Sequence, residues 1–177
     1  MRLSSNSVLN ISFVTGFFLA CCSIQTILWY QLFGQAPAPL LWVLITLYIL
    51  ITRETYSALM IVYFLTFLAS RFSTVTLGYL IPSMAMLCAF VLTFRSRIFW
   101  RGSSYFFLVG SHGLLLFHVL STFVSLIVES NSTGFLFIDR VVQIMISIGF
   151  IFPIFSTMRW IDRTFQYHGG FGTGDLV

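Results

Sequence analysis

The chain reads as an all-α, polytopic integral membrane protein with six transmembrane helices, and three observations carry that reading. Of 177 residues, 58% are hydrophobic and only 8% are charged, with a mean hydropathy of +0.97; ordinary soluble domains carry about 25% charge. Apolar runs of helical length recur along the whole sequence. Charge falls where those runs stop, at Arg2, Arg53/Glu54, Arg71, Arg95/Arg97/Arg101, Glu129, Asp139/Arg140 and Arg159/Asp162/Arg163, and there is no lysine. Charge confined to the ends of apolar runs is an adaptation to a slab of hydrocarbon, so the lipid bilayer is the first expected partner. The pI near 9.3 does not point to nucleic acid, because the arginines are spread along one membrane face and are not gathered with stacking aromatics.

The first span is expected at 8–30. Arg2 and the run Ile11 to Ser23 resemble the opening of a signal peptide, and Leu19-Ala20-Cys21-Cys22 resembles a lipoprotein cleavage site. The run continues to Trp29, however, which is long enough to cross, so an uncleaved helix is expected. Gly34, Pro37 and Pro39 stop this helix and start the next. The second and third spans, 39–52 and 55–70, are short. At about 1.5 Å per residue they reach only about 21–24 Å of a ~30 Å core. Two crossings in a locally thinned bilayer are expected, with a re-entrant hairpin tipped by Arg53-Glu54 as the alternative.

The remaining spans are 74–94, 104–128 and 137–158. Pro82 and Pro153 predict kinks in the fourth and sixth. Residues 1–167 form one domain, and the glycine-rich tail 168–177 is expected to fray. Cys21, Cys22 and Cys88 all fall in apolar segments without zinc-ligand spacing, and are read as small packing residues.

Orientation follows from the arginines. With both termini inside, Arg2, Arg53, Arg95, Arg97, Arg101, Arg159 and Arg163 are cytoplasmic, and only Arg71 and Arg140 are outside. Trp29, Trp100 and Trp160 stand near helix ends, where an amphipathic ring prefers the interface. Arg71 either snorkels at the outer surface or offers a charge to a partner. Asp139 and Arg140 are either a self-compensating pair or a docking point for a single-pass neighbour. These three residues are the partner-interface candidates.

Three narrow polar stripes run along the helices. Helix five carries Ser111, His118, Thr122, Ser125 and Glu129 within an arc of roughly 60°. Helix three carries Tyr56, Tyr63, Thr66 and Ser70, and helix six Asp139, Gln143, Ser147 and Thr157. Interhelical hydrogen bonding, about 0.6 kcal/mol per contact in lipid, is one reading. A lined cavity or proton path with His118 as its titrating group is the other. His112 lies about 240° around the helix from His118, so the two cannot share a metal. Catalytic signatures are absent: no HExxH, no GxSxG, no GxGxxG and no pair of intramembrane carboxylates. No catalysis, metal or cofactor is expected. Asn10-Ile11-Ser12 and Asn131-Ser132-Thr133 match glycosylation by pattern alone.

From Pro39 onward the order of features resembles the bacterial rod shape-determining protein MreD family. A proline-led apolar helix ends in a basic residue, here Pro39 to Thr52 and Arg53. An apolar helix, Ala58 to Ser70, and a short turn, Arg71 to Val75, lead to Leu77-Gly78. A basic segment with aromatics follows at Arg95 to Arg101, and the last helix has Pro153 and the tail Arg159 to Phe165. The family's aspartate at the end of the third helix is replaced by Ser70 or Arg71, so its contacts do not carry over. The resemblance implies a non-catalytic scaffold of cell elongation and peptidoglycan synthesis in the bacterial inner membrane. Its expected partner is an MreC-like single-pass protein. Through that protein it would be linked to MreB, a SEDS glycosyltransferase and a penicillin-binding transpeptidase. It also implies a fold similar to the substrate-binding subunit of energy-coupling-factor transporters. A vitamin-capture subunit is therefore the alternative, for which Gly16 and Ala20 give one small-xxx-small match.

Overall fold

A computed structural model of the chain describes residues 5–73, 77–95, 103–128 and 137–165. All regular structure among these residues is helical. α1 (Ser5–Ser23) passes through a π turn (Ile24–Leu28) into α2 (Trp29–Phe33). There follow α3 (Leu41–Thr52), α4 (Thr55–Phe72), α5 (Leu77–Arg95), α6 (Ser103–Val128), α7 (Phe137–Gly149) and α8 (Ile151–Thr164). Arg2, Arg97, Trp100, Arg101, Glu129, the sequon at Asn131 and the glycine-rich tail lie outside the described residues.

Among the described residues, four helices are long and apolar enough to cross a membrane: Ser7–Phe33, Thr55–Phe72, Leu77–Arg95 and Ser104–Ile127. Ile138–Gly149 and Ile151–Thr164 pass the same test together, bent by 44° at the break between them, so the count rises to five if they form one span. This is the length and composition of a multi-pass membrane protein. The bend sits where Pro153 predicts it. Proline lacks the N–H that would reach the carbonyl of Gly149, and its ring crowds that carbonyl, so the ladder opens one turn earlier. Phe150 N–H donates to Ser147 O at 3.0 Å instead. Pro82, by contrast, sits inside α5, which runs unbroken from Leu77 to Arg95.

The second expected span is different in kind. α3 has 12 residues, about 18 Å of helix, and Leu41 through Leu50 are all buried. A helix apolar on every side has no face for solvent and must lie in a core. α1, α4, α5, α6 and α8 all touch it. Its shortness therefore needs no thinned bilayer, because its neighbours are protein. On the far side of the Arg53-Glu54 turn, α4 is 18 residues long and passes the spanning test by itself.

The outer helices show each a buried stripe against α3 and an exposed apolar face. On α1 the buried residues are Asn10, Val14, Phe18, Cys21 and Cys22, at helical spacing. Val8 and Phe13 on its other face are exposed. The three cysteines are free and buried, as packing residues should be. α6 presses against α3 at Gly113, where an added Cβ would lie 2.7 Å from Leu47 Cδ1.

Gly113→Val should therefore force Leu47 out of place and destabilise the bundle by about 1–3 kcal/mol, the range for overpacked cores. Gly16→Ala, where a Cβ meets nothing within 4 Å, should stay within about ±0.5 kcal/mol. Thermal unfolding of the purified variants in detergent measures both.

Candidate functional site

The polar chemistry of the bundle is concentrated at its two ends. At one end, Arg53 follows the last residue of α3 and is 1% exposed. Its Nη2 donates to Asp162 Oδ1 of α8 at 2.8 Å and to Asn10 Oδ1 of α1 at 2.6 Å. Asn10 Nδ2 donates to the same Asp162 oxygen at 3.0 Å, and Tyr48 OH donates to Oδ2 at 2.8 Å. Arg95, closing α5, donates to the carbonyls of Leu50 and Arg53. Four helices are thus tied at one point. Beneath it Tyr48 packs edge-on against Phe106 and Phe155 at 5.7 and 5.8 Å.

Asp162 has both oxygens engaged by three donors, so it has little capacity left to accept a substrate proton or a metal. The cluster fastens helices. Among the described residues, no group of three or more His, Cys, Asp or Glu side chains is placed to hold a metal ion.

At the opposite end lies a cavity of about 530 Å³. It opens where the π turn, the 36–40 loop, the end of α4, the start of α5, α6 and α7 converge. Trp42, Phe72, Tyr79 and Phe117 supply aromatic walls, and Gln25, Thr26, Ser121, Arg140 and Gln143 supply polar groups. The loop is fixed by α7: Gln143 Nε2 donates to Ala38 O at 2.7 Å, and Ser147 Oγ accepts from Leu40 N at 2.9 Å. Trp29 Nε1 donates to Ala36 O at 3.0 Å, and Tyr79 OH to Ser121 O at 2.6 Å.

The expected site residues have mixed fates. Ser111 and Thr122 turn their hydroxyls to the carbonyls of Phe107 and His118 in their own helix. Ser125 is half-buried, and Glu129 lies outside the described residues. His118 is buried, and neither ring nitrogen has a hydrogen-bond partner. Tyr56 and Tyr63, on the polar stripe of α4, are 69% and 62% exposed. Alternation in the sequence cannot separate an amphipathic ring facing lipid headgroups from one facing a helix. Arg71 is exposed and lies 5.1 Å over the Phe67 ring. Asp139 and Arg140 are both exposed, and Arg140 Nη1 lies 3.5 Å from Gln143 Oε1.

Sequence reasoning missed the Arg53 cluster and Gln25. The signal was present: Asn10 and Gln25 interrupt apolar runs, and Asp162 is the one acid within a basic segment. The sequon at Asn10 is closed to modification, because Asn10 is fully buried in the cluster.

A family model described as a protein of unknown function (DUF1385) matches residues 102–170. No curated protein and no solved structure matches the chain.

Arg53→Leu should strand Asp162 without its cation and cost about 3–5 kcal/mol, as breaking a buried pair does. Arg53→Lys should recover part of it, because both bonds leave one nitrogen, Nη2, and an ammonium has three donors for the same two acceptors. Unfolding midpoints in detergent provide the comparison.

Proposed function

We propose that the protein is a non-catalytic scaffold of rod-type wall growth, similar in role to the MreD family, which binds an MreC-like single-pass protein in the bacterial inner membrane. The observation that carries this reading is the use to which the charged groups are put. The buried charges are spent on holding helices together, which leaves the outer surface as the part of the bundle free to act. That surface is broad and apolar: Met60, Tyr63 and Phe67 on α4, Leu115, Val119 and Phe123 on α6, and Val141 and Met145 on α7 are exposed. Arg71, Asp139 and Arg140 rim it at the end away from the Arg53 cluster. A transmembrane helix can lie along such a face, with its juxtamembrane charges meeting the rim. MreB, the SEDS glycosyltransferase and the penicillin-binding transpeptidase would then be reached through that partner.

The same reading includes six passes with both termini inside, α3 being the short central pass, and a fold similar to the substrate-binding subunit of energy-coupling-factor transporters. The alternation of the helices supports it. Asn10, Arg53, Arg95 and Asp162 meet at one end, while Trp29, Leu40, Tyr79 and Ser147 stand at the other. A second reading, a small-molecule capture subunit, draws support from the cavity and from Gly16 and Ala20, which lie on the exposed face of α1 where a coupling contact would need them.

Depletion in a rod-shaped host should give rounded cells, and mild-detergent purification should recover an MreC-like protein. Unchanged rods together with a co-purifying ATPase module would favour the second reading instead. Reporter fusions at the two termini should both report the cytoplasm; an outward C-terminal reporter contradicts six passes.

A further inference from the structure

The cavity at the end opposite Arg53 contains two polar groups whose needs the fold does not meet. Gln25 Oε1, projecting from the π turn, is buried with no hydrogen-bond partner. A buried acceptor left unpaired costs about 1–3 kcal/mol, so a ligand that donates to it recovers that energy. Arg140 at the rim is exposed, and its contact with Gln143 Oε1 is 3.5 Å, longer than a well-formed hydrogen bond. Its guanidinium is thus available to an anion, and no carboxylate lines the cavity to compete for it. The hydroxyls of Thr26 and Ser121 each donate to their own helix at 2.9 and 3.0 Å, so their lone pairs face the cavity as further acceptors. The volume, about 530 Å³, falls within the few hundred to about 1,000 Å³ typical of small-molecule sites, and aromatic walls with a few convergent polar groups are their usual lining.

We infer that this cavity binds a hydroxyl-bearing phosphate ester. Its phosphate pairs with Arg140, a hydroxyl donates to Gln25 Oε1, and its apolar portion lies against Trp42, Phe72 and Phe117. A planar guanidinium suits a phosphate bidentately. A hydroxyl on the same molecule supplies the donor that Gln25 lacks. Two sources share this chemistry: the headgroup of a bilayer lipid such as phosphatidylglycerol, and a free phosphate ester on that side of the membrane. The site goes beyond the scaffold reading and does not depend on it; because Arg140 also stands on the rim of the partner surface, Gln25→Leu is the variant that separates loss of binding from loss of cell shape.

The test uses the full chain in neutral detergent, with tryptophan emission as readout because Trp42 is in the cavity wall. The probes are dioleoylphosphatidylglycerol, sn-glycerol 3-phosphate and dioleoylphosphatidylcholine, whose headgroup keeps the phosphate but has no N–H or O–H donor. Saturable binding of phosphatidylglycerol alone identifies a lipid headgroup, and binding of glycerol 3-phosphate as well identifies a free ester; either supports the site. Arg140→Gln and Gln25→Leu should each weaken binding at least about tenfold, equivalent to about 1.4 kcal/mol. Arg71→Gln, which removes an exposed cation that does not line the cavity, should leave it unchanged. The melting temperature of each variant without lipid reports whether it has folded. The inference is overturned by no binding of either hydroxyl-bearing probe, by equal binding of phosphatidylcholine, by full affinity in both cavity variants, or by an equal loss in Arg71→Gln.

Discussion

Placing one short helix where no lipid can reach it is the constraint on which the other features depend. α3 is apolar on all sides, so every neighbour must present an apolar stripe to it, and five helices do. It spans only about 18 Å, so its two ends stop inside the bundle rather than at its surfaces. Each end then needs its own solution for the polar groups left there. At the C-terminal end a charge follows at once, and Arg53 brings Asp162, Asn10 and Tyr48 around it. At the N-terminal end the Ala36–Leu40 loop dips into the bundle and is held by Gln143 and Ser147. The cavity is the space that this loop and the converging helix ends do not fill.

The two ends have opposite character for this reason. A buried guanidinium is tolerable only if its partners are fixed, and the Arg53 cluster achieves that by taking each donor or acceptor from a different helix. Such a cluster restrains helix positions more than it raises net stability. The other end is braced through backbone carbonyls, those of Ala36, Ala38 and Ser121. Carbonyl bracing fixes the loop and leaves side chains such as Gln25 and Arg140 free for other uses.

Much of this was legible in the sequence. Helix positions followed from the apolar runs, with α4, α5 and α6 falling close to the boundaries read for them, because a slab of hydrocarbon dictates run length as well as composition. The break near Gly149 was legible from Pro153. The distinction between a helix in lipid and a helix in a protein core was not, since both are apolar and only length separates them; α3 was read as a thin crossing for that reason. Arginine placement marked the ends of the apolar runs, but it hid Arg53, which looks like any other charge at the end of a run. Only the meeting of Asn10, Arg53 and Asp162, distant in sequence, marks it as different. Hydroxyls on a common arc were equally ambiguous, because Ser and Thr can satisfy themselves on their own helix.

The π turn in α1 bears on how such a bundle can change. A π turn holds one residue more than an α turn, so everything beyond Ile24–Leu28 is rotated by about 100° relative to the stripe that ends at Cys22. That offset lets one continuous rod present a core face along its lower half and different side chains, Gln25 and Trp29 among them, to the cavity and loop above. The register of the lower half and the lining of the upper half are thereby uncoupled. A single inserted or deleted residue in this turn could re-line the cavity while leaving Asn10, Val14 and Phe18 where they are.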